Sequence, residues 1–216
     1  MNDLIHLGAG PSFIPEEVKQ NVSKEIENFN GSGLSALEVS HRSKEFERVN
    51  SESEEGLREL LGIPSNFFVI LLQGGATLQN ASIPINFSSD DEKLGYIVTG
   101  EWSKKTYLDG LKLRESIILY DGEETSFNSV PLNNLLYGGD QCSLTFLTSN
   151  ETINGVQIKE YSNIGKSLVV DMSSDIASRK IDWSNIACIY AGAQKNLGTS
   201  GVTVVVGDKS KLVDNG

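Results

Sequence analysis

The sequence is poor in the residues that build disulfide frameworks and zinc sites. Its 216 residues hold two cysteines, Cys142 and Cys188, too few for either. Both sit in apolar runs and read as small buried residues, a usage that suits a reducing compartment. Positive charge is also short. Eighteen Lys and Arg against 29 Asp and Glu give a formal net charge of -11, and no basic cluster offsets it, which argues against a nucleic-acid partner. No apolar run reaches the length of a membrane span. The opening Met1-Asn2-Asp3-Leu4-Ile5-His6 has neither the basic start nor the apolar stretch of a signal peptide, so the expected location is the cytoplasm. No internal repeat and no low-complexity segment is present. Neither G-x-G-x-x-G nor the P-loop pattern occurs where a strand turns into a helix, so dinucleotide and nucleoside-triphosphate readings lose support. No metal site is expected.

What is present is an alternation of apolar runs and amphipathic segments in an ordinary globular composition. After a glycine- and proline-rich loop over Gly8 to Pro15, the helical spacing of Val18, Val22, Ile26 and Phe29 predicts a helix with Pro15 as its first residue. Asn30-Gly31-Ser32-Gly33 stops it. A second helix is expected from about Lys44 to Leu61, with Phe46, Val49, Leu57, Leu60 and Leu61 buried. Phe67 to Leu72 is an unbroken apolar run, which predicts a strand covered on both faces. Further strands are expected at Gly95–Thr99, Ser116–Tyr120, Ser143–Leu147, Ser167–Val170, Ala187–Tyr190 and Val202–Val206, with helices near Leu78–Asn86 and beyond Trp102. This order predicts an α/β, three-layer domain with a mainly parallel central sheet. Ligands of such sheets gather beyond the carboxyl ends of the strands.

Several unusual residues fall at those ends. Gly74-Gly75-Ala76-Thr77 joins a strand to a helix, where backbone N–H groups and the helix dipole favour a phosphate; two glycines there also serve simply to make a tight turn. Trp102 follows Thr99-Gly100-Glu101. It is either satellite core or a face that stacks on a flat heteroaromatic ring, worth roughly 0.5–1.5 kcal/mol beyond burial. Thr152, in Asn150-Glu151-Thr152-Ile153-Asn154-Gly155, follows the strand ending at Leu147 and reads on its own as a turn former. Asp171 ends Leu168-Val169-Val170, and a buried acid needs a partner. It either caps the next element through Ser173 or Ser174, or it pairs with a protonated ring nitrogen, a charge-assisted bond worth roughly 1.5–3 kcal/mol. Lys195 lies 24 residues on, in Ala191-Gly192-Ala193-Gln194-Lys195-Asn196-Leu197-Gly198, between two apolar runs. It is either a solvated loop lysine or the amine of a Schiff base. A Schiff-base lysine with an aspartate on a pyridinium nitrogen is the signature of pyridoxal phosphate enzymes. Each residue alone is weak; together they fit one flat, phosphorylated, cationic ring.

Longer strings carry a resemblance. Ser40-His41-Arg42-Ser43-Lys44-Glu45-Phe46, Gln73-Gly74-Gly75-Ala76, Asn150-Glu151-Thr152, Asp171-Met172-Ser173-Ser174 and Tyr190-Ala191-Gly192-Ala193-Gln194-Lys195-Asn196 stand in the order and spacing of the phosphoserine aminotransferase family, fold-type I pyridoxal phosphate enzymes of serine biosynthesis. The chain resembles that family from about Leu7 onward. The resemblance implies pyridoxal 5'-phosphate as cofactor, with Lys195 holding its aldehyde and shuttling the proton at the substrate's α carbon. It implies that Asp171 pairs with the ring nitrogen, Trp102 stacks on the ring, Thr152 bonds its polar edge, and Ala76, Thr77 and Gln194 help bind the phosphate. Arg42 would bind a substrate carboxylate, for which a planar guanidinium is suited, and His41 a phosphate or carboxylate of the phosphorylated substrate. The implied reaction moves the amino group of L-glutamate to 3-phosphooxypyruvate, giving O-phospho-L-serine and 2-oxoglutarate, in a homodimer with active sites at the interface. Residues 1–216 would be the cofactor-binding large domain, with about the first 15 as an N-terminal arm, and the family's smaller C-terminal domain would lie outside this chain. Ala9 stands where some members carry a substrate-contacting serine. The same residues also allow a non-catalytic or interaction module of the same fold, and another fold-type I aminotransferase.

Overall fold

The computed structural model describes residues 5–130, 141–160 and 164–214. The chain divides into two compact units, residues 1–63 and 64–216.

In the first unit, α1 spans Glu16–Glu27 and α2 spans Lys44–Leu61. Pro15 stands one residue before α1 as its N-cap, and Glu16 and Glu17 occupy the first turn, where the dipole favours acids. The Ser43 hydroxyl accepts the Phe46 N–H at 3.2 Å to start α2, and Gly62 ends it at φ 63°, a conformation only glycine adopts cheaply. The apolar stripe of α1 has the expected helical spacing but is open: Val18, Val22 and Ile26 are 46%, 52% and 43% exposed. On α2, Phe46, Val49 and Leu60 are likewise open, and of its five expected core residues only Leu61 is fully buried. Periodicity marks which face is apolar, not what covers it.

The second unit is a seven-stranded sheet. Its strands are β1 (Phe67–Leu72), β2 (Leu94–Val98), β3 (Ser116–Asp121), β4 (Leu144–Thr148), β7 (Leu168–Asp171), β8 (Ile186–Gly192) and β9 (Thr203–Asp208), with β5 (Asn150–Glu151) and β6 (Val156–Gln157) forming a separate small ribbon. The order is β1-β9-β8-β7-β4-β2-β3. Neighbours from β8 to β3 pair in parallel, while β9 is antiparallel to both β8 and β1. Among the described residues only β9 therefore runs against the rest of this sheet, and the carboxyl ends of its other six strands share one edge. Helix α3 (Gly75–Phe87) follows β1, and α4 (Glu101–Gly110) follows β2; α3 packs on β8 and α4 on β2 and β4.

The mainly parallel sheet is as the sequence predicts, and the strands lie within one or two residues of expectation. Three details differ. β1 is not covered on both faces: it is an edge strand, and Ile70, Leu71 and Leu72 are 41%, 37% and 38% exposed. Helix α3 starts at Gly75, three residues earlier than expected, because both glycines at its entrance take positive φ and turn the chain immediately. Cys142 is half-buried rather than buried; Cys188 is buried.

The core is centred on Tyr96, which stacks on Phe146 (4.8 Å between centroids) and meets Tyr107 edge-on at 5.4 Å. A methyl group on Gly110 would run into Tyr96 Oη, so the last turn of α4 approaches the sheet only because it carries glycine. Tyr190 Oη donates to Asn80 Oδ1 at 3.2 Å, and Asn80 Nδ2 donates to Asp109 Oδ2 at 3.1 Å, tying β8 to α3 and α3 to α4. Burial pushes the Asp109 carboxyl upward, but bonds from Lys105, Asn80 and Lys112 outweigh that and hold it down at about 2.

Candidate functional site

The residues singled out in the second unit lie where six carboxyl ends converge. Lys195 sits on a tight turn after β8. The Leu197 and Gly198 N–H groups both bond Ala193 O, at 3.0 and 2.9 Å, and the Ala193 N–H bonds Val202 O at 2.9 Å. Asn196 Nδ2 donates to Ile176 O at 2.6 Å. The turn is thus fastened on both sides of the lysine, and half-buried Lys195 reaches over the Trp102 ring with Nζ 5.5 Å from its centroid, within cation–π range.

Trp102 is fixed by a second set of contacts. Its indole Nε1 donates to Thr152 Oγ1 at 3.0 Å. Its backbone N–H donates to Glu151 Oε2 at 3.0 Å, and the Ser103 N–H to Glu151 Oε1 at 2.8 Å. The Glu101 N–H donates to Asn154 Oδ1 at 3.0 Å. Side chains about 50 positions away in the sequence therefore cap three orphan donors at the start of α4. The fit leaves no room at the helix entrance: a methyl on Gly100 would stand 2.6 Å from Glu151 Cδ and 2.7 Å from Asn154 Oδ1.

Glu151 is fully buried. Burial pushes its carboxyl above the ordinary value and the nearby Asp171 charge adds to this, while the bonds from Ser103 and Trp102 pull it back only in part. A raised folded pKa means the contribution of the group is full in acid and is lost as pH rises through that pKa. Glu151→Gln turns an amide NH2 toward one of the two N–H groups and is expected to destabilise the chain by on the order of 1–3 kcal/mol. The gap in unfolding temperature between wild type and variant should narrow from pH 4 to pH 7 in cofactor-free protein. A gap that widens would mean the carboxylate is stabilised in the fold.

Asp171, at the end of β7, pairs in register with Thr148 of β4 and Tyr190 of β8. Its Oδ1 accepts the Ser173 N–H at 2.8 Å and the Ser173 hydroxyl at 2.6 Å. Both expectations for this acid are therefore compatible: Oδ1 caps the next turn, and those bonds leave Oδ2 for a donor on a ligand. Burial raises its proton affinity; the Ser173 bonds and the charge of Lys195 pull it back without cancelling that.

The remaining positions form the open end of the site. Gly74 has φ 98° and Gly75 φ 71°, and a methyl on Gly74 would meet Leu78 Cδ2 at 2.5 Å. The first turn of α3 carries no acidic residue and no side-chain cap, so among the described residues the N–H groups of its first turn are left for an anion. Ala76 is half-buried against the core, and Thr77 is exposed beside it. Leu72 and Gly192 both pair with Thr203 of β9. This level register puts the Gly74–Thr77 turn and Gln194 two strands apart, about 10 Å at roughly 4.8 Å per strand. Half-buried Gln194 folds back so that its Oε1 would lie 2.6 Å from a methyl on Gly192.

These features suit a flat, cationic, phosphorylated ring. There is an aromatic face beside an amine, a carboxylate on the adjacent strand end, and an uncapped helix start at the same sheet edge. His41 and Arg42 belong to the first unit, exposed on the turn before α2, where the Arg42 N–H bonds Ser40 Oγ at 3.2 Å. Glu151, Asn154 and Gly100 were not singled out from the sequence. The one signal for them is an acid, an amide and a glycine next to expected turns, which says nothing of partners 50 residues away. Among the described residues no helix is long and apolar enough to cross a membrane.

The family profile described as aminotransferase class-V matches residues 5–214. The chain is 43% identical over 212 residues to the phosphoserine aminotransferase of Bacillus subtilis, covering 98% of this chain and 59% of that relative. Among solved structures, the phosphoserine aminotransferase of Bacillus circulans subsp. alkalophilus superposes with a TM-score of 0.88 at 38% identity, covering 94% of this chain and 56% of that one. A phosphoserine aminotransferase from Trichomonas vaginalis, solved with pyridoxal phosphate bound, gives 0.81 at 33% identity, covering 95% and 58%. The chain thus spans about three-fifths of the length of these relatives.

Proposed function

We infer that the chain, which belongs to the class-V aminotransferase family, is the cofactor-binding large domain of a phosphoserine aminotransferase, with about the first 15 residues as an N-terminal arm. The reading is carried by one arrangement: Lys195 Nζ stands over the Trp102 ring while Asp171, at the adjoining strand end, commits one carboxyl oxygen to Ser173. Bound there, pyridoxal 5'-phosphate supplies the electron sink that lets an amino group move between two oxo acids.

The residues divide the work. Lys195 holds the cofactor's aldehyde carbon and carries the proton at the substrate's α carbon. Asp171 keeps the ring nitrogen protonated, and Trp102, fixed by Thr152, holds the ring plane. Ala76, Thr77 and Gln194 receive the phosphate at the start of α3. Arg42 takes a substrate carboxylate and His41 the phosphate or carboxylate of the phosphorylated substrate. The donor is L-glutamate and the acceptor 3-phosphooxypyruvate, with O-phospho-L-serine and 2-oxoglutarate as products. The working form would be a cytoplasmic homodimer with active sites at the interface, as the resemblance to the family implies.

The deciding experiment is the glutamate half-reaction followed by absorbance. With pyridoxal phosphate the chain should develop a visible band, and L-glutamate should bleach it to the pyridoxamine form. Adding 3-phosphooxypyruvate should restore it, while an unphosphorylated oxo acid should do so far more slowly. A band that ignores glutamate would make the chain a non-catalytic cofactor-binding module; equal rates with both oxo acids would assign it to a different aminotransferase.

A further inference from the structure

We propose that Ser173 is a positioning residue that locks the Asp171 carboxylate to the end of β8, and so fixes the acid relative to Lys195; the proposal rests on the cofactor-binding reading above. The register of β7 and β8 shows why a device is needed here. The ladder between the strands reaches Asp171 opposite Tyr190, and the Met172 N–H still bonds Tyr190 O at 2.9 Å. Beyond that point the ladder ends: the chain turns away after Asp171, while β8 runs on to Gly192 before the turn that carries the lysine.

Ser173 continues the ladder with its side chain. Its Oγ accepts the Gly192 N–H at 3.1 Å and donates its single proton to Asp171 Oδ1 at 2.6 Å. The result is a relay, Gly192 N–H to Ser173 O–H to Asp171 carboxylate, in which each bond polarises the next. Gly192 is the last residue of β8, three before Lys195, and leads directly into the turn fastened at Ala193. Movement of the acid is therefore transmitted to the lysine's turn, and the reverse. The relay also serves the charge state. A proton donated to Oδ1 stabilises the ionised carboxylate, and an ionised carboxylate is what holds a proton on the cofactor's ring nitrogen. Ser173 thus acts on the chemistry through Asp171 without touching the reacting atoms.

The test uses the bound cofactor without substrate. Ser173→Ala keeps the backbone donor to Oδ1 and removes the relay. Its affinity for pyridoxal phosphate, measured by equilibrium dialysis, should fall by about tenfold, as expected for loss of one charge-assisted bond. The pH midpoint of the visible band should rise. A less firmly held carboxylate leaves the ring with less positive charge, so the lysine-linked nitrogen keeps its own proton to higher pH. Ser173→Thr, which retains the hydroxyl, should restore both values, and Ser173→Cys, with a weak donor, should fall between. If the alanine variant fails to fold, the threonine–cysteine comparison decides. A Ser173→Ala protein with the wild-type midpoint and affinity, or cysteine and threonine variants that match, overturns the proposal. A wild-type chain that gives no visible band at all overturns the cofactor reading itself.

Discussion

Lys195→Ala is expected to abolish covalent capture of pyridoxal phosphate while leaving the fold intact. Lys195 is half-buried, and its Nζ contact with Trp102 is worth only roughly 0.5–1 kcal/mol at such a site. The unfolding midpoint of the cofactor-free protein should therefore move little. The loss of function should be severe. A positioned proton carrier contributes about 10²–10⁴-fold, and the alanine variant also loses the covalent seat that fixes the cofactor's aldehyde carbon. Borohydride should attach the cofactor to a peptide containing residue 195 in the wild type and to none in the variant. Small primary amines added to the solution should restore part of the amino transfer, since what is missing is an amine at one place. Covalent labelling of another lysine in the wild type would sink the assignment. Lys105, for instance, is paired with Asp109 at 2.7 Å and Lys104 with Glu123 at 2.8 Å.

The lysine was readable from the sequence because the rules that expose it are local. Two apolar runs predict strands, glycines and alanines predict the turn between them, and a lysine in that turn then stands at a strand end. The same reasoning places Asp171, Trp102 and the Gly74–Thr77 turn, since six of the seven strands run one way and put these ends on one edge. What the sequence does not carry is partnership at long range. Nothing local distinguishes β1, an edge strand with exposed Ile70, Leu71 and Leu72, from a central strand with the same apolar run. Nothing near Glu151 shows that its carboxylate caps a helix starting 50 residues earlier. Ser173 is an intermediate case. It could be read as the residue that Asp171 caps, which it is, but its bond to Gly192 depends on two strands lying side by side.

Asp171→Asn should separate what the acid does for chemistry from what it does for folding, because the two effects have opposite signs. Asparagine is nearly the same size and can still accept the Ser173 N–H and hydroxyl through Oδ1, so the turn after β7 should persist. Its amide NH2 would then take the place of Oδ2, and a neutral donor cannot hold a proton on the ring nitrogen. Removing one partner of a buried ionic pair costs about 3–5 kcal/mol, so amino transfer should fall by roughly 10²–10³-fold, with a fall in cofactor affinity. Stability of the cofactor-free protein should move the other way. Burial raises the folded pKa of Asp171 above its ordinary value, so the wild-type contribution is full below the unfolded pKa and is lost as pH rises through the folded one. Asparagine bears no such loss. The variant should gain in unfolding temperature relative to wild type on going from pH 4 to pH 7, the trade expected where a strained group is kept for function. A variant that is less stable at neutral pH and transfers amino groups at the wild-type rate would make Asp171 a structural cap and nothing more.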